Sequence, residues 1–254
     1  MKKRSLIVLT WNLGRPHLGR IGQRLGWDSR AADVDLPRVA LGIARAGADV
    51  VALQELASER QLAHLIALLG SEWSGALDDG GCGGPRCDRH VAVLAHVRAA
   101  PRSFSRDQLA GGRSVASVIG PDYVVAAAHL EPFDALARAH QAQELRRVAD
   151  GFSEENIVLA GDMNIDPTHA RLRGGPDALA WSRLVEKMHD GGRHAGATTI
   201  VRRRIDHVLV RGPAAVATEA DVLRSMRLPL GDHMPLRVSV SLGEPAPASG
   251  GTAR

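Results

Sequence analysis

Six short apolar runs in this chain each carry, at one end, a side chain of the kind that grips a metal or a phosphate. They read IVLTWN (Asn12), VVALQE (Glu55), VVAAAHL (His129), IVLAGDMN (Asp162 and Asn164), RIDHVLV (Asp206) and GDHMPLRVSV (Asp232 and His233). Runs of this length, rich in Val and Ile, predict buried strands. The polar residue closes the run in the first four and opens it in the last two. If the last two strands run opposite to the first four, every one of these groups meets at one edge of the fold. Each has an ordinary reading taken singly: a turn cap at Asn12, a surface acid at Glu55, a satisfied buried histidine at His129, an Asx turn in GDMN. Six such coincidences with matching polarity are hard to reconcile with core packing.

The rest of the chain places helices between these strands. Leu36, Val39, Ala40 and Ile43 have helical spacing, and Gly47 is a natural stop for a helix over 36–46. Ser58 caps a second helix through Leu62, Leu65, Ile66 and Leu69, ending at Gly70, and Asp134 caps a long third helix. A fourth is expected over Pro176–Met188. Strands are expected at Leu6–Thr10, Asp49–Leu53, His90–Val97, Ser114–Ile119, Tyr123–His129, Asn156–Ala160, Ile205–Val210 and Met234–Val240. Residues 14–35 have no clear period, and 71–88, rich in Gly, form the least structured internal segment. Several strands are apolar throughout, as expected when both faces are covered. The expected fold is therefore α/β: a four-layer α/β sandwich of two packed β-sheets flanked by helices. It occupies residues 1–242, with a disordered tail over 243–254.

Charge adds a weak constraint. The formal net charge is +4 and the pI about 9.7, which suits polyanionic partners. Only three of the 32 basic residues are Lys (Lys2, Lys3 and Lys187), a skew of the kind codon bias produces, so any one Arg is poor evidence of function. Arg202-Arg203-Arg204 reads first as a solvated face, and Arg113 and His90 as substrate contacts. Trp11, Trp27, Trp73 and Trp181 read as core or loop anchors. Two cysteines, Cys82 and Cys87, are too few for a disulfide scaffold or a four-ligand zinc site. The apolar run after MKKR has strand length, and no run approaches the roughly 18 residues of a membrane span. The expectation is a cytoplasmic, monomeric protein with no stable membrane association.

Hard divalent cations such as magnesium want oxygen ligands, which Glu55, Asp232 and Asn12 supply. Water attacking a phosphate ester needs an acceptor to orient it, and donors for the charge that grows on phosphorus. Asp162 suits the first task, and Asn164 and His129 the second. Asp206 suits holding His233, the pairing that fixes an imidazole tautomer.

Taken in order, TWN, LQE, a strand-terminal HL, GDMN, RIDHVLV and GDHMPL resemble the endonuclease/exonuclease/phosphatase superfamily, the DNase I-like fold, over nearly the whole chain. That resemblance implies magnesium-dependent phosphoester hydrolysis, with manganese as a substitute. It implies Glu55 as principal metal ligand beside Asn12 and Asp232. It further implies that Asp162 aligns or deprotonates the attacking water, that Asn164 contacts the phosphate, and that His233 contacts the scissile phosphate, oriented by Asp206. His129 matches the histidine of DNase I-like and sphingomyelinase-like members. The expected activity is nuclease action on DNA. The alternatives are a phosphatase or sphingomyelinase-like phosphodiesterase acting on a small or lipid phosphoester, and, more remotely, a non-catalytic polyanion-binding protein.

Overall fold

The computed structural model describes residues 4–14, 35–78, 90–212, 216–229 and 231–242. Cys82, Cys87, Trp27, most of the 14–35 segment and the 243–254 tail lie outside the described residues. Two mixed six-stranded sheets face each other. The first has the order β11 (Val216–Val222), β12 (Leu236–Leu242), β1 (Arg4–Asn12), β2 (Val50–Leu56), β4 (His90–His96), β3 (Trp73–Leu77). The second has the order β5 (Ser103–Leu109), β6 (Arg113–Ile119), β7 (Tyr123–His129), β8 (Asn156–Asp162), β10 (Asp206–Arg211), β9 (His189–Asp190). The pairing pattern is the same in both. One central parallel pair, β1 with β2 or β7 with β8, is flanked by antiparallel neighbours on each side.

Alternation along each strand sends one set of side chains between the sheets and the other outward. The inner layer joins Leu6, Val8, Val50, Ala52, Val91 and Val93 to Val125, Ala127, Val158, Ala160, Val208 and Val238. The outer face of the first sheet, with Leu9, Trp11, Leu53 and Leu94, is covered by α1 (Leu36–Ala46) and α2 (Glu59–Leu69). The outer face of the second, with Val124, Ala126, Ile157 and Leu159, is covered by α3 (Ala135–Gly151) and α5 (Gly175–Val185). The architecture is thus the α/β/β/α sandwich expected. Each fully buried Leu, Ile or Val adds roughly 1.5–3 kcal/mol.

The helix ends follow from single residues. Asp35, Ser58 and Asp134 accept hydrogen bonds from first-turn amides, and Gly47 closes α1 in the left-handed region. The helix expected at 176–188 is found at Gly175–Val185, preceded by a short α4 (Pro167–Arg173) capped by Asp166. The segment expected to be least structured, 71–88, contains β3, an edge strand whose first half is only partly buried. Trp11 is buried, and Trp73 and Trp181 pack partly buried against the cores beneath the helices. Among the described residues no helix is long and apolar enough to cross a membrane.

Candidate functional site

Strand direction gathers the polar ends. β1, β2, β7 and β8 finish at one edge of the sandwich; β12 runs antiparallel to β1, and β10 antiparallel to β8, so both begin there. His129 stands opposite Asp162 in the parallel β7–β8 pair, and Asp162 opposite Asp206 across β8–β10. The two sheets meet at the side chains of this edge. Asn12 Nδ2 donates to Glu55 Oε1 at 3.1 Å, within the first sheet, and to Asp162 Oδ2 at 3.0 Å, in the second. His233 Nδ1 lies 2.8 Å from Asp206 Oδ2, and its Nε2 lies 3.7 Å from Asp162 Oδ2 and 4.0 Å from Asp232 Oδ1. His129 Nε2 is also 3.7 Å from Asp162 Oδ2. Seven of the eight residues picked out by the six runs therefore interlock around Asp162.

Asn164 is the eighth, and it partly bears out the ordinary reading. Its amide N–H donates to Asp162 Oδ1 at 2.8 Å, an Asx turn, and its Nδ2 donates to the Leu130 carbonyl at 3.0 Å. The turn leaves Asp162 Oδ2 turned toward Asn12 and the two histidines. Asn12 also makes a local turn, accepting from the Gly14 amide at 2.8 Å. Arg113 is buried, with one guanidinium nitrogen 3.3 Å from Glu131.

Backbone conformation sharpens the placement. The β2–β4 ladder pairs Gln54 with Val91 and Leu56 with His90, which leaves Glu55 as an extra, bulged residue at φ 63°. A bulge re-aims one side chain without ending the strand; here the carboxylate turns toward Asn12. A β-carbon on Gly14 would fall 1.7 Å from Glu55 Oε2, so the bare glycine lets that carboxylate sit against the chain. Gly161, at φ 154°, serves a different need. A β-carbon there would lie 1.9 Å from the Ala128 carbonyl oxygen, so glycine permits the close β7–β8 approach that sets His129 beside Asp162.

The electrostatics are those of a crowded anionic site. Burial works against a charged His233, but the Asp206 charge and hydrogen bond outweigh it, helped by Asp162 and Asp232, and raise its pKa to about 10. Burial, reinforced by Asp162 and Asp206, raises the Asp232 pKa despite the opposing pull of His233. Asp206 Oδ1 is buried and, among the described residues, has no hydrogen-bond partner.

Sequence reasoning missed a supporting network. Arg204 was expected on a solvated face with Arg202 and Arg203. The latter two are exposed, but Arg204 lies 2.7 Å from Asp190 Oδ2. Its backbone amide also donates to Asp166. His207, fully buried, bonds the Ile165 carbonyl through Nε2 and packs its ring on Trp181. Together these hold the 163–166 segment that carries Asn164. An Arg run cannot reveal which member turns inward, because the partner is 14 positions away at Asp190.

A second missed feature has the chemistry of the first site. His90 Nδ1 lies 2.7 Å from the buried carboxylate of Asp78, whose other oxygen accepts from Ser114 Oγ. The polar-end rule finds His90 in HVAVLA, an apolar run opened by a histidine; Asp78 has no such signal.

The donor set fits a hard cation. Glu55, Asp162, Asp206 and Asp232 bring four carboxylates to one edge, one with a buried oxygen that no described residue bonds and one with its pKa raised by burial and by its acidic neighbours. Among the described residues, Asp162, Asp206 and His233 place ligand-type atoms within 4.8 Å of one another. In that trio His233 Nδ1 is already tied to Asp206, which leaves the carboxylate oxygens as the donors suited to a hard cation.

A family model described as the Endonuclease/Exonuclease/phosphatase family matches residues 9–233. Among solved structures, an endonuclease/exonuclease/phosphatase from Beutenbergia cavernae is similar with a TM-score of 0.71 and 23% identity, over 95% of this chain and 72% of its own. A mannosyl-6-phosphatase from Bacteroides thetaiotaomicron gives a TM-score of 0.67 and 18% identity, over 93% of this chain and 100% of its own. TDP2 from Caenorhabditis elegans gives 0.68 and 16%, over 94% and 74%. At these identities the likeness bears on the fold alone. No curated protein sequence matches the chain.

Proposed function

The chain belongs to the endonuclease/exonuclease/phosphatase family, whose members are hydrolases acting on phosphoesters, and from that premise we propose that it is a magnesium-dependent phosphodiesterase that cleaves DNA. The observation that carries the reading is the junction at Asp162: one carboxylate oxygen faces Asn12 beside Glu55 on one side and two imidazole Nε2 atoms on the other. A phosphoester seated there has an acceptor for the attacking water on one flank and donors for its oxygens on the other.

Glu55, Asp232 and Asn12 would hold the magnesium ion, with manganese as a substitute. When bound, the ion supplies positive charge to the phosphoryl and leaving oxygens. Asp162 Oδ2 orients the water and takes its proton as oxygen attacks phosphorus. His233, fixed at Nδ1 by Asp206, offers Nε2–H to a phosphoryl oxygen, and Asn164 contacts the same phosphate. As the ester P–O bond breaks, the departing oxygen takes a proton from the imidazole pair, His129 or His233. The choice of DNA is supported by the pI of about 9.7 and by the exposed Arg202 and Arg203. Their loop adjoins the site: Thr199 bridges to His233, and the Ile200 amide donates to the Asp232 carbonyl. Guanidinium groups in such a place suit backbone phosphates.

Supercoiled plasmid incubated with the purified protein and magnesium is expected to be nicked. The activity should be lost on chelation and reduced at least 100-fold in Asp162→Ala and in His233→Ala. Intact plasmid together with hydrolysis of a sugar or lipid phosphate would replace the DNA assignment with the phosphatase reading. That second reading names the activity of one solved structure of the same fold, the mannosyl-6-phosphatase. No magnesium-dependent hydrolysis across the whole panel would leave a polyanion-binding protein.

A further inference from the structure

We propose that His90, held by Asp78, binds a second phosphate of a polymeric substrate, the one next to the phosphodiester being cut. This inference rests on the phosphodiesterase reading above. His90 opens β4, the strand beyond β2, and pairs in register with Leu56, the neighbour of Glu55. It therefore stands one strand spacing, about 4.8 Å, outward from the strand that carries Glu55. Asn12, Asp232 and His233 come from β1 and the start of β12, on the other side of β2. A chain of phosphates leaving the reaction centre past Glu55 meets His90 next.

The pair is built like the one in the reaction centre. The 2.7 Å contact of His90 Nδ1 with Asp78 repeats the 2.8 Å contact of His233 Nδ1 with Asp206. The shared pairing pattern of the two sheets makes β4 the counterpart of β10, so His90 and Asp206 open equivalent strands. Ser114 Oγ donates to the second oxygen of Asp78, so the carboxylate is fixed from both sides and in turn fixes the ring. Ser114 bonds the carboxylate and not the imidazole, which rules out a serine nucleophile activated by His90.

With Nδ1 engaged, Nε2 points away from Asp78. Among the described residues nothing bonds it, and the side chain keeps 17% of its exposure. The hydrogen bond to Asp78, with the charge of that carboxylate, raises the His90 pKa against the effect of burial. A buried carboxylate committed to one imidazole and one hydroxyl is costly compared with apolar filling. It gains its use if the imidazole has an anion to meet, since a charge-assisted N–H to phosphate contact is among the stronger polar contacts available.

The test compares two probes: a single-stranded DNA octamer, and thymidine 5′-(p-nitrophenyl phosphate), which carries one phosphodiester and no neighbour. His90→Gln is expected to raise KM for the octamer roughly tenfold or more, the worth of one hydrogen bond to a charged group. Its kcat on the octamer, and both constants on the one-phosphate probe, should stay within about twofold. Equal losses on the two probes, or a fall in kcat with KM unchanged, overturns the proposal. Asp78→Asn, which keeps the imidazole but loosens it, serves if His90→Gln does not fold, and the same split is expected. Octamer binding by fluorescence anisotropy separates this inference from the function it rests on. If the wild type cuts no DNA, weaker binding by His90→Gln still supports the subsite, and equal binding removes it.

Discussion

Replacing Gly14 by alanine should disable the site while sparing the fold. The new β-carbon would sit 1.7 Å from Glu55 Oε2, whereas ordinary contact begins at 3.4 Å, so the oxygen must retreat by about 1.7 Å, the difference between the two. The obstacle is the end of a flexible side chain, so Glu55 swings and the backbone stays. Metal ligands tolerate displacements of about 0.2 Å, and a misplacement of about 1 Å in a reacting constellation costs roughly 100-fold. Loss of the Asn12–Glu55 hydrogen bond costs about 0.5–1.5 kcal/mol. Against this, alanine for glycine at an unstrained φ stabilises by about 0.4–1 kcal/mol through the unfolded chain. The two nearly cancel, so stability should hold within about 1 kcal/mol. Magnesium titration by calorimetry should show affinity down at least tenfold, and phosphodiester hydrolysis should fall about 100-fold. A Gly14→Ala protein with unchanged magnesium affinity and activity within threefold of wild type would refute Glu55 as the principal ligand.

Asp206→Asn removes the anchor of His233; kcat should drop by about 10²–10⁴ with KM nearly unchanged, in line with losing a positioned proton donor, and an unchanged kcat would show that His233 is held some other way. Gly161→Ala combines a disfavoured φ with a collision against backbone, so urea unfolding should report a loss of at least about 3 kcal/mol, and a stable variant would mean the β7–β8 pair can spread. Asp190→Asn should cost about 3 kcal/mol at neutral pH by leaving Arg204 and His207 without their carboxylate. Burial raises the Asp190 pKa, but His207 and Arg204 more than offset this and hold it below its ordinary 3.8. The stabilisation is therefore complete above pH 3.8 and is lost as pH falls through the lower folded value. Acid unfolding curves of wild type and variant should converge below pH 3.8; curves that stay parallel would mean the pair is not what stabilises the loop.

What the sequence made legible follows burial. The eight strands expected are the eight interior ones, β12, β1, β2 and β4 in one sheet and β6, β7, β8 and β10 in the other. Most are covered on both faces and read as apolar runs, while β12 alternates. The four edge strands, β11, β3, β5 and β9, escaped because their side chains are half in water. SFSRDQL and VATEADV carry too few apolar residues to announce a strand, and β9 is two residues long. The candidate site was legible for the same reason as the interior, since its residues sit at the ends of those runs. Arg204, Asp190 and Asp78 were not, because their meaning lies in partners brought together only by the sheet.

β1 lies between β2 and β12, with Arg4 opposite Leu242. The first sheet is therefore sewn from both extremes of the domain, and Asn12 cannot meet His233 until the final strand has been synthesised. Such distant pairing is slow to form, and early-made segments must wait for it on the ribosome. A chain broken off before β12 has an unpaired flank on β1 and lacks His233. An edge that needs both Asn12 and His233 thus waits for β12, and fragments released before it lack one of its two histidines.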